Sequence, residues 1–155
     1  MNASTVALLQ EIVRRESRSM LTYVGEAFPW TPSREADTLA RLKDLVAHNN
    51  DAVAILGRYL TKLREPVGYL GSYPNSFTTI NFLSLDHQLP KVVASEQANV
   101  AALERDLANL NDKDAHLQVE KLLELKKKQL EKLEFLAEAH RKNHESGVTM
   151  QASTI

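Results

Sequence analysis

The sequence predicts an all-α fold, a four-helix bundle, and three observations lead there. Apolar residues return every three or four positions through four long segments, the period of a helix that buries one face. The five glycines and five prolines are few, and six of the ten cluster between those segments. The 155 residues suffice for one domain that buries a core without disulfides or metal staples.

Segment A runs from about Ser4 to Phe28, with Ser4 or Thr5 as N-cap. Its buried row reads Val6, Leu9, Val13, Glu16, Met20, Tyr23, Ala27. Segment B runs from about Ser33 to Arg64. It opens T-P-S-R-E-A-D, a capping residue followed by acids that complement the helix dipole. Its row is Leu39, Leu42, Val46, Asn49, Val53, Leu56, Leu60. Segment C starts between Ser76 and Asp86 and ends near Leu110, with Leu85, Leu89, Val92, Glu96, Val100, Leu103 and Leu107 in its row. Pro90 predicts a kink or a late start there, because proline removes a donor and clashes one turn back. Segment D runs from about Asp112 to Asn143 on Val119, Leu123, Lys126, Leu130, Leu133 and Ala137. The bundle therefore spans residues 1–145, and 146–155, without periodicity, reads as a flexible tail.

Short A–B and C–D loops make each pair antiparallel. The B–C connection is longer, 12 to 16 residues from Glu65, and extended it would reach roughly 40–50 Å. That is about the length of helix B, so a crossover along the bundle competes with a folded loop.

Composition narrows the function classes. Lys+Arg 19 against Asp+Glu 20 leaves a formal net charge of -1, which gives no footprint for nucleic acid or an anionic membrane. No apolar run approaches the roughly 20 residues needed to cross a bilayer. The absence of cysteine excludes disulfides and thiolate chemistry. With no signal-peptide pattern at the N-terminus, it suits a cytoplasmic protein. Nucleophile-elbow, phosphate-loop, dinucleotide and zinc-protease patterns are missing.

Each helical row carries one polar interruption: Glu16, Asn49, Glu96 and Lys126. Counted from the turns, all four fall about 14 to 18 residues along their helices, so they predict one polar layer at mid-bundle. Buried carboxylates repel each other and lose hydration. Lys126 is expected to compensate them, with Asn49 donating a hydrogen bond.

In helix lengths, short-long-short loop order and one row carboxylate on each of A and C, residues 4 to 143 resemble the ferritin-like superfamily. The resemblance implies a long B–C crossover and a mid-bundle di-iron or di-manganese centre, built from two lone glutamates and two Glu-x-x-His motifs. Glu16 and Glu96 match the lone glutamates. The Glu-x-x-His places read Asn49-Asn50-Asp51-Ala52 and Lys126-Lys127-Lys128-Gln129. Both histidines and both motif glutamates are missing there, so no cofactor is favoured. A divergent centre for Fe or Mn would draw on Glu16, His48, Asp51, Glu96 and Glu120, with Asp86 as a further candidate.

Other candidates compete with ordinary roles. His48 and Asp51 are a boundary histidine and a solvated aspartate unless they rotate inward as ligands. Asp86 and His87 point about 100° apart on a helix, so one ion rarely takes both. His140 and His144 have i, i+4 metal spacing, and with His48 they faintly resemble a DinB-like bundle. By helix rise, however, His140 lies roughly 20 Å from the layer, so both read as cations near a helix C-terminus. Tyr69, Tyr73, Phe77 and Phe82 crowd the B–C connection, as core packing or as a groove for a ligand or second copy. Trp30 reads as a helix-end plug or part of that interface. Two functional classes remain: a structural, binding or self-associating bundle, possible homodimer included, and a divergent metal-dependent oxidase or iron-handling protein.

Overall fold

The computed structural model describes residues 1–27 and 31–153, without the side chains of 143–153. The chain is all-helical, and no strand occurs among the described residues. Helices α1 (Ala3–Ser17), α2 (Met20–Glu26), α3 (Ala36–Lys62), α4 (Leu85–Ala108) and α5 (Lys113–Ser153) are joined by two short 3₁₀ turns, Ser33–Glu35 and Asn75–Ile80.

Segment A is two helices, not one. Asn2, rather than Ser4 or Thr5, caps α1 by accepting from the Thr5 N–H at 2.8 Å. The chain breaks at Ser17-Arg18-Ser19, where serine side chains compete with the helix for backbone partners. Ser19 restarts it by accepting from the Thr22 N–H at 3.3 Å, an N-cap for α2. The break lies directly after Glu16. Pro90 sits inside α4, which begins at Leu85 despite it. Gln88 holds the entrance by donating to the carbonyls of Ile80 (2.8 Å) and Leu83 (3.0 Å). Helix α5 continues to Ser153, past the expected end near Asn143. No proline follows to stop it, and Gly147 is a residue that a helix tolerates at modest cost.

Two apolar clusters fix the topology. The first joins Leu9 and Ile12 with Val53, Leu56, Leu60, Val100, Leu103, Val119 and Leu123. The second joins Leu21 and Val24 with Leu42, Val46, Leu85, Leu89, Val92, Leu133 and Leu136. From first to second, residue numbers rise along α1–α2 and α5 and fall along α3 and α4. Thus α3 and α4 run parallel. The connecting segment 63–84 leaves beside the first cluster, where Val67 and Leu70 pack, and arrives beside the second, where Leu83 packs. It is a crossover, and longer than the sequence suggests. Helix α5 packs on α3 and α4, as do α1–α2 from the other side.

Candidate functional site: a buried charge layer between two cores

Glu16, Asn49, Glu96 and Lys126 are all buried, and they meet between the two apolar clusters. Four helices bring one each: α1 just before its break, α3 and α4 near their middles, and α5 about a third of the way along. The Lys126 ammonium is the hub. Its Nζ donates to Glu96 Oε2 at 2.5 Å and to Asn49 Oδ1 at 2.5 Å, and lies 3.2 Å from Glu16 Oε2. Burial pulls the Lys126 pKa down, but the charges of Glu16 and Glu96 outweigh it and hold the ammonium above its ordinary value.

Asn49 therefore accepts from Lys126 rather than donating to a carboxylate. An ammonium has only donors, so the amide oxygen must face it. Its Nδ2 is buried with no partner among the described residues. Further side chains face the two carboxylates. Asn99 donates to Glu96 Oε1 at 3.3 Å. Arg15 Nε stands 3.6 Å from Glu16 Oε1, while Arg15 Nη1 donates to Asp106 Oδ2 at 2.9 Å. Sequence reasoning missed Arg15, Asp106 and Asn99. Each lies one or three positions from a row residue, a faint signal beside the row itself.

This donor set does not fit a dimetal centre. An ammonium already occupies the space between the two carboxylates, and it would repel a divalent cation. The further ligands are not assembled either. His48 and Asp51 on α3 and Glu120 on α5 are exposed. Glu120 instead pairs with His116 at 3.5 Å along its own helix.

The aromatic connection divides. Tyr73 and Phe77 pack with Tyr23, at ring separations of 5.3 Å and 5.8 Å, and Arg18 stacks on the Tyr73 ring at 5.1 Å. Burial first, and then the nearby Glu26 carboxylate, push the Tyr73 phenol up to about 12. Tyr69 and Phe82 remain outside, 90% and 97% exposed. Trp30 lies outside the described residues, as does the side chain of His144.

A second polar cluster lies at the far end. His140 is not a helix-terminal cation: it is interior to α5 and buried. Its Nε2 meets Asp86 Oδ1 and stands 3.6 Å from Glu35 Oε1. His87 turns away to Ser84, 3.0 Å from its hydroxyl. The signal was the topology: with α3 and α4 parallel, both acid-bearing N-termini fall beside the same stretch of α5. No family model, curated protein or solved structure matches the chain.

Proposed function

We propose that the chain is a ferritin-like four-helix bundle whose mid-bundle place is held by a lysine–carboxylate layer instead of a metal pair. In this reading it is a structural and binding protein, not an oxidase. The observation that carries the reading is the position of Lys126 Nζ, 2.5 Å from Glu96 and 3.2 Å from Glu16. The long crossover between parallel α3 and α4, and the adjacency of α1–α2 to both, support the ferritin-like connectivity.

The layer's proposed role is register. A buried, partnered charge network adds little net stability but disfavours packings that leave any member unpaired. The binding role rests on the crossover, where Tyr69 and Phe82 stay in solvent, and a second copy of the chain is the first partner to test. The absence of cysteine agrees with a cytoplasmic setting.

The test is elemental analysis after Fe(II) and Mn(II) loading, with Glu16→Gln and Glu96→Gln variants alongside. The reading expects no bound metal that depends on Glu16 or Glu96. Near-stoichiometric metal lost in those variants, while their circular dichroism is retained, would overturn it. Light scattering of wild type and a Tyr69→Ser/Phe82→Ser variant tests self-association. A wild-type mass of one chain at high concentration would remove the homodimer.

A further inference from the structure

We propose that Glu35, Asp86 and His140 form a binding site for one divalent transition-metal cation, separate from the mid-bundle layer. The three ligand atoms come from three elements: the residue before α3, the first turn of α4 and the interior of α5. They lie within 4.8 Å of one another, and among the described residues no other trio of such side chains does. His140 is 7% exposed, so its ring is held in place by packing.

Geometry separates this cluster from an ordinary ion pair. The same ring nitrogen, Nε2, faces both carboxylates. A proton on that nitrogen is one donor for two anionic acceptors and can serve only one of them well. A metal ion in place of the proton serves both. Ligand bonds of about 2.1 Å at tetrahedral angles put ligand atoms roughly 3.4 Å apart. The His140–Glu35 separation of 3.6 Å is near that value, whereas Asp86 lies closer to the ring and must move back by about 1 Å to admit the ion. Two carboxylates and a neutral imidazole give the set a charge of minus two, matching a divalent cation. One nitrogen and two oxygens suit Zn(II), Mn(II) or Fe(II) rather than Ca(II) or a thiophilic ion.

Access is provided. Asp86 and His140 line a cavity of about 480 Å³ that also touches Leu89, Pro90 and Glu134. Glu138 lines it too, but is held by Arg141 at 3.1 Å. Protein supplies three ligands, and since Asp86 and His140 border this cavity, water or a small oxygen ligand entering from it would complete the shell.

The test is titration calorimetry of the full chain, stripped with chelator, using Zn(II) and then Mn(II). One ion per chain is expected, with affinity falling at least about tenfold in both Asp86→Asn and His140→Gln. Asp86 is a quarter exposed, so Asp86→Asn keeps the test decisive if His140→Gln does not fold. No saturable binding to wild type, or variant affinities within about twofold of wild type, would overturn the proposal. Glu96→Gln is titrated in parallel and is expected to bind as wild type does. Binding lost there but kept in Asp86→Asn would overturn this site and, separately, the lysine-layer reading.

Discussion

Replacing Lys126 by methionine removes the only ammonium in the mid-bundle layer while nearly preserving volume. The loss then comes from charge rather than from a cavity. Lys126 serves three partners, two of them carboxylates buried in the same layer. The carboxylates are not left equally exposed to the loss. Glu16 keeps Arg15 Nε at 3.6 Å, whereas Glu96 keeps only the neutral Asn99 amide at 3.3 Å. Breaking a buried pair by removing one partner costs about 3–5 kcal/mol, so Lys126→Met should lose about 4 kcal/mol near pH 7. For a chain of this size that is roughly a 10 °C drop in Tm. Urea unfolding followed by circular dichroism measures it. Buried carboxylates without a cation relieve repulsion by binding a proton, so the variant's deficit should shrink toward pH 5. Adding Glu96→Leu should restore more of the loss than adding Glu16→Leu, because only the first double variant leaves its surviving carboxylate beside a cation. A loss under about 1 kcal/mol, or effects of Lys126→Met and Glu96→Leu that simply add, would refute the reasoning.

Other expectations follow from the helix ends and close contacts. Arg64 ends α3 with φ of 61°, and Glu65 N–H bonds back to Leu60 O at 2.9 Å. Arg64→Gly relieves that left-handed strain and should stabilise by about 0.5–1 kcal/mol in thermal unfolding. A methyl group on Gly25 would stand 2.4 Å from Val46 Cγ1, where α2 meets α3. Gly25→Ala should therefore cost about 1–3 kcal/mol, read as a lower urea midpoint at unchanged slope. Ser19→Ala removes the α2 cap and should cost about 1 kcal/mol, with faster amide exchange at Thr22 than in wild type.

The helical rows were legible because each long helix buries a stripe, and a stripe of period 3.6 survives in one dimension. The same rows placed Glu16, Asn49, Glu96 and Lys126 at one height. They carried no information on which carboxylate Lys126 would touch, since that depends on rotamers across three helices. The break after Ser17 was hidden because apolar residues continue on both sides of it; beyond it the buried face moves to Leu21 and Val24, while Met20 and Tyr23 are only half-buried and Ala27 is exposed. Glu35, Asp86 and His140 were illegible as a group. Their convergence follows from the parallel arrangement of α3 and α4, which loop length alone left open. Tyr73 and Phe77 show the same limit: an aromatic connection reads alike whether it packs inward or waits for a partner.

The most direct measurement is nitrogen-15 NMR of the Lys126 ammonium through a pH titration. The layer requires a charged lysine between Glu16 and Glu96, with a pKa above its ordinary 10.5. A raised pKa means that its stabilising contribution is complete below that value and is lost only as pH rises through the folded-state pKa. The account predicts a protected, protonated Lys126 signal that persists unchanged from pH 6 to about pH 9–10. A Lys126 that is neutral at pH 7, gaining its proton only on acidification, would contradict the charge layer and the function built on it.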